Sequence, residues 1–174
     1  MTRTVIVNGQ SLFIANGNGS VVTKYDNGNS QSGPSPYGGL GMVINNSGQA
    51  YSLSPAGDSL SRFASNGTLL QVATPATLTG GKALAIDGLS DEWIVNADGT
   101  VATVPGNVSL TINPVGIAKA GNIVGPTGIL VDASGSVWIS NAGNNTATEI
   151  IGSAFAIETP VVAGVVSGLP SNRP

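Results

Sequence analysis

The sequence predicts an all-β protein assembled from a repeated unit of about forty residues. Three observations predict it. Val, Ile and Leu come in short runs broken by Gly, Asn, Asp, Ser and Pro, and no helical period persists beyond two turns. An aromatic residue recurs, as Phe13, Tyr51, Trp93 and Trp138, at intervals of 38, 42 and 45 residues. The same punctuation surrounds each one. Six residues upstream stand Asn45, Asp87 or Asp132, with Val7 in the first copy; three downstream stand Asn16, Asn96 or Asn141, with Ser54 in the second. A period near forty with room for four short strands suits a propeller blade. The expected fold is all-β and β-propeller-like, with about four four-stranded antiparallel blades in a partial or small ring.

The chain reads as one repeat domain of four units and a tail. Unit 1 takes residues 2–40, with strands at Thr2–Val7, Leu12–Ala15 and Val21–Tyr25. Its fourth strand falls in the Gly/Ser/Pro/Asn tract Asp26–Gly39, a composition that predicts a weak or missing strand. Unit 2 takes 41–81, with strands at Gly41–Asn45, Ala50–Leu53, Leu60–Ala64 and Leu69–Ala73. Unit 3 takes 82–120, with strands at Ala83–Asp87, Glu92–Val95, Val101–Val104 and Val108–Asn113. Unit 4 takes 121–168 and holds the best copy, Gly128–Glu149; its strands are Gly128–Asp132, Ser136–Ser140, Thr146–Ile151 and Pro160–Val166. The tail is 169–174.

The signature positions have structural reasons. Asn45, Asp87 and Asp132 end the first strand of their units, where a side-chain oxygen can accept backbone N–H groups two residues on; Gly48 and Gly135 supply positive φ in the same turns. The aromatic is expected to pack between neighbouring sheets as the largest buried surface of each unit.

The pattern G-(I/L)-x-x-D-x-x-G-x-x-W-(I/V)-x-N in unit 4 resembles the NHL-type β-propeller family. It is most similar to the bacterial secreted group related to streptogramin (virginiamycin B) lyase. The resemblance is strong over Gly128–Ile151, fair over Ala83–Val104 and Gly41–Phe63, and weak before residue 40. It implies a scaffold, and propeller scaffolds carry many functions. Lyase chemistry in that family relies on His and Glu in the upper loops with a divalent metal. This chain has no His, so no lyase histidine carries over. Its glutamates are Glu92, Glu149 and Glu158; the first two lie on strands and are expected to face solvent.

Composition narrows the function further. Only 9% of residues are charged, the net charge is −3, and there is no Cys. No cationic footprint points to nucleic acid or an anionic membrane, and no apolar run has the length of a membrane span. Thiolate metal sites are excluded, and no other metal or cofactor set is visible: Asp87, Asp91 and Asp98 belong to opposite ends of one strand. Gly80-Gly81-Lys82 lacks the helix that a phosphate loop needs. The polar, uncharged surface favours an extracellular or cell-surface chain whose leader lies outside this sequence, with a cytoplasmic one left open.

In a propeller, the loops after strand two and before strand one share a face. That face gathers Asn16, Asn18, Asn96, Asp98, Asn141, Asn144 and Asn145 as candidate binding residues. Amides both donate and accept, which suits a carbohydrate or protein ligand. The expected function is a non-catalytic binding or interaction module. The alternative is a self-assembling structural protein, since an open row of blades leaves sheet edges and apolar faces that favour self-association. A lyase-like enzyme ranks third.

Overall fold

The computed structural model describes strand segments between residues 2 and 34 and at 113–114, and residues 40–74, 76–106 and 122–157 with their side chains. Fifteen strands and no helix are described. Unit 1 contributes β1 (Thr2–Asn8), β2 (Ser11–Asn16), β3 (Val21–Asp26) and β4 (Asn29–Pro34); unit 2 contributes β5 (Gly41–Ile44), β6 (Ala50–Leu53), β7 (Leu60–Phe63) and β8 (Leu69–Ala73). Unit 3 contributes β9 (Gly81–Ile86), β10 (Glu92–Asn96), β11 (Val101–Val104) and β12 (Asn113–Pro114); unit 4 contributes β13 (Pro126–Val131), β14 (Val137–Asn141) and β15 (Thr146–Ile150). They form four separate antiparallel sheets, each ordered as in the chain. This is the all-β, propeller-like architecture the repeat predicts.

One strand reading changes. The Asp26–Gly39 tract does hold a strand: β4 pairs with β3 through six residue pairs from Val21↔Pro34 to Asp26↔Asn29. Ladder hydrogen bonds come from the backbone, so a composition poor in β-formers does not forbid a strand beside a strong one. In unit 3 the fourth strand is described only at Asn113–Pro114. The readings over 107–112, Pro160–Val166 and 169–174 lie outside the described residues.

The first strands line one side of the array, where β1 packs on β5, β5 on β9 and β9 on β13. Between units the sheets meet face to face. Tyr51, Leu53 and Leu60 of unit 2 pack with Leu84, Ile94, Ala102 and Val104 of unit 3. Trp93, Val95 and Val101 of unit 3 pack with Val131, Val137, Ile139 and Ile150 of unit 4. Alternation along β10 explains how one strand serves both interfaces: Trp93 and Val95 point one way, Ile94 the other. The aromatic face of one unit therefore covers the opposite face of the next.

Candidate functional site

Units 2, 3 and 4 share one turn between their first and second strands. In unit 4, Asp132 Oδ1 accepts the N–H groups of Ser134 (2.8 Å) and Ser136 (3.0 Å) and the Ser134 hydroxyl. In unit 3, Asp87 Oδ1 accepts those of Leu89 and Asp91, both at 3.0 Å. In unit 2, Asn45 Oδ1 accepts those of Ser47 (3.0 Å) and Gln49 (2.9 Å). The residue three before the aromatic has positive φ each time: Gly48 at 75°, Ser90 at 70° and Gly135 at 82°. The Ser134 hydroxyl, the Trp138 indole and backbone N–H groups hold the Asp132 carboxyl well below the usual range, all favouring the anion.

The second function of this position was not legible from turn chemistry alone. Asp87 Oδ2 accepts the Trp93 indole N–H at 3.1 Å, and Asp132 Oδ2 accepts that of Trp138 at 2.9 Å. In unit 2 the polarity is reversed: Asn45 Nδ2 donates to the Tyr51 hydroxyl (3.5 Å), which donates onward to the Gly106 carbonyl (3.2 Å). Indole is donor-only and takes an acid; a phenol accepts from an amide. In unit 1, Phe has no polar hydrogen, and the partner position is Val7. That covariation is the sequence signal for the pairing. The six-residue spacing thus joins the turn to the aromatic in units 2, 3 and 4, where both positions serve the fold; the side chain of Phe13 lies outside the described residues.

The candidate loop residues divide. Asn96 and Asn141 are buried. Asn96 Nδ2 donates to the Thr77 carbonyl and to Thr100 Oγ1, both at 3.0 Å; Asn141 Nδ2 donates to Thr148 Oγ1 at 2.9 Å. Asn96 ties the turn before β11 to the segment that leads into β9, and Asn141 ties β14 to β15, so both amides serve internal bonds. Asp98 is exposed, and Thr100 and Thr79 donate to its carboxylate, holding its pKa down. Asn144 is half-buried, donating to the Asn122 carbonyl and accepting from Thr146 Oγ1; Asn145 is exposed with φ of 56°. Asn16 ends β2, and Asn18 lies outside the described residues. Strand-two and strand-one loops do share a face, as the Ala97 N–H to Gly80 carbonyl (2.9 Å) and Ala142 N–H to Gly125 carbonyl (3.0 Å) bonds show. Among the described residues no three carboxylates come together as a metal set.

Glu92 corrects an expectation. It does not face solvent; it is fully buried, and neither carboxylate oxygen has a hydrogen-bond partner. It opens β10 between Ile86 and Val104, one position before Trp93. The two-residue alternation puts it on the Ile94 side, which faces unit 2. Unit 2 holds Ala50 and unit 4 holds Val137 at this register, so an acid here departs from the repeat. Burial first, and then Asp91, push its carboxyl up to about 8. Tyr51, on the facing sheet, is pushed up to about 12 by burial and by Glu92. Glu149, by contrast, is exposed as expected.

The site that sequence reasoning missed is the outer face of unit 4. Trp138 is 37% exposed and Leu130, directly opposite it on β13, is 53% exposed. The aromatic there is not wedged between sheets, because no described unit covers it. With Gly128, Ser140 and Ala147 they line a largely apolar hollow of about 510 Å³. Gly128 deepens it: a Cβ there would lie 2.9 Å from Ser140 Oγ.

No family model matches the chain, and no curated protein matches it. Solved structures do. A streptogramin B lyase superposes with a TM-score of 0.69 at 10% identity, over 94% of this chain and 56% of the lyase. The virginiamycin B lyase of Staphylococcus aureus gives 0.70 at 15% identity, over 91% of this chain and 56% of that one. A computationally designed protein gives 0.62 at 10% identity, over 87% of this chain and 91% of its own length. At these identities the likeness is one of fold, and the chain spans little more than half the length of the lyases it matches. This chain is a β-propeller-type repeat array, similar in its path to streptogramin-lyase-like propellers.

Proposed function

We propose that this chain is a non-catalytic interaction module, extracellular or at the cell surface, that presents the outer face of unit 4 to another polypeptide. The observation that carries this reading is the exposed pair Leu130 and Trp138 over an apolar hollow, at the register where the aromatics of units 2 and 3, Tyr51 and Trp93, are buried against a neighbour. A photoreactive p-benzoylphenylalanine in place of Leu130 tests it. Irradiation of the full chain, alone and mixed with proteins of its source, is expected to link position 130 to another polypeptide. Linkage only within the same chain overturns the reading, as does turnover of a streptogramin by the purified chain.

A second reading places a hydroxyl-rich ligand on the loop face at Asp98, Asn144 and Asn145. It is supported by these three reaching the surface where Asn96 and Asn141 do not. A glycan titration followed by amide shifts of residues 97–100 and 142–146 tests it, with unmoved shifts counting against it.

A further inference from the structure

On the reading that the outer face of unit 4 is an interaction surface, we propose that the polypeptide it takes is an extended segment that brings a basic side chain, arginine or lysine, over Trp138 and between Asp132 and Glu149. The ladders of unit 4 lay out the face. Leu130, Trp138 and Glu149 form one row across β13, β14 and β15, and Gly128, Ser140 and Ala147 form the next. Cross-strand partners share a face, so the exposed Glu149 stands on the same side of the sheet as the exposed indole. Asp132 follows β13 and accepts the indole N–H at 2.9 Å, so one acid lies on the β13 side of Trp138 and the other on the β15 side.

Residues 122–157 contain these two acids and no lysine or arginine. Every formal charge in that stretch is negative and borders this face. An occupant that fills the apolar hollow pulls both carboxylates out of water. Asp132 does not escape by taking up a proton, because backbone N–H groups, the Ser134 hydroxyl and the indole all favour its anion. A wholly apolar partner would leave the two carboxylates desolvated without a counter-charge. A guanidinium or ammonium on the indole supplies that charge and is drawn to the ring face as well.

The covered interfaces show the same matching within the chain. The strand-three residue paired with the aromatic is Arg62 in unit 2, Thr103 in unit 3 and Glu149 in unit 4. On the sheet that faces Arg62, the residue just before the aromatic is Glu92; on the sheet that faces Thr103 it is Val137. Arg62 attracts Glu92 across the first interface, and two neutral residues share the second. By that pattern an acid on strand three calls for a cation. The turn acid also suits a backbone. Asp87 Oδ2 accepts both the Trp93 indole and the Phe155 N–H of the segment lying over it, and Asp132 Oδ2 holds the same register for an N–H of the occupant.

Two blocked peptides test this on the full chain: Val-Arg-Val-Arg-Val and its citrulline counterpart, which keeps the shape of arginine without the charge. The arginine peptide is expected to shift the Trp138 indole N–H signal, leave that of Trp93 in place, and bind about tenfold more tightly than the citrulline peptide. Glu149→Gln is expected to narrow that gap to about twofold. Glu149 is exposed, and an unmoved Trp93 signal verifies that the variant keeps its fold. Equal binding of the two peptides overturns the basic partner and leaves the surface reading standing. A shift that spares the Trp138 indole overturns the proposal too. No shift at ~5 mM peptide also overturns it. In that case a photolink from position 130 to another polypeptide keeps the surface reading, and a link only within the same chain ends both.

Discussion

Trp93 in unit 3 is 4% exposed and Trp138 in unit 4 is 37% exposed, yet each indole donates to the aspartate six residues upstream, at 3.1 and 2.9 Å. The turn geometry is local and needs no neighbouring sheet. Burial is not local; it depends on whether another unit is stacked on the face. One motif thus makes a core in one place and an offered surface in another.

The largest test of that comparison is truncation. Trp93→Ala is expected to cost about 4 kcal/mol, because a large buried side chain leaves a cavity. Trp138→Ala is expected to cost about 1 kcal/mol or less. Urea midpoints measure both, and equal losses break the comparison.

Next comes the acid in the closed interface. Glu92 has a folded-state pKa of about 8 against an ordinary 4.5. A raised carboxyl leaves stability intact at low pH and erodes it as pH climbs from about 4.5 through about 8. Tyr51, at about 12, stays neutral over that window, while Asp91 is the acid and Arg62 the cation that act on Glu92. The loss by pH 9 is expected to be on the order of 5 kcal/mol. Glu92→Gln, or Glu92→Val as in unit 4, should flatten the profile of denaturation midpoint against pH. A wild-type profile already flat between pH 5 and 9 counts against a buried neutral acid.

Exchanging the polar partner comes third. Asp87→Asn turns a donor toward the Trp93 indole and weakens acceptance from the Phe155 N–H, a bond of 3.1 Å that ties the chain after β15 to unit 3. The expected cost is about 2 kcal/mol. Adding Trp93→Tyr recreates the Asn–Tyr pair of unit 2, and a double-mutant cycle should return about 1 kcal/mol. Asp132→Asn, at the open face, is expected to cost clearly less than Asp87→Asn.

The smallest effect is backbone strain. Ser90 sits at φ 70° where the other turns have glycine. Ser90→Gly is expected to gain about 0.5 kcal/mol, the relief being partly offset by a freer unfolded chain. Chemical denaturation resolves a shift of that size.

The period of the aromatics and the turn residues made the sheets legible, since both follow from short-range rules. The turn role of Asp132 and the place of Glu149 at the surface were readable for the same reason. Glu92 was misread because one residue beside an aromatic on a strand looks like the solvent face; a sheet covered on both faces has no such face. The burial of Asn96 and Asn141 was not legible because an asparagine leaving a strand serves a buried bond as well as an open loop. The open face around Trp138 was hidden by its perfection as a repeat: nothing in residues 128–149 records whether a neighbour follows.

All the described ladders join strands consecutive in the chain. Among the described residues no hydrogen-bonded ladder ties one sheet to another, so a segment of about forty residues is both a folding neighbourhood and a spare part. Duplication of such a segment lengthens the array without rewriting any existing sheet, and its only obligation is to present one face and accept one. Arrays of this kind can change length between lineages faster than folds whose first and last strands are partners.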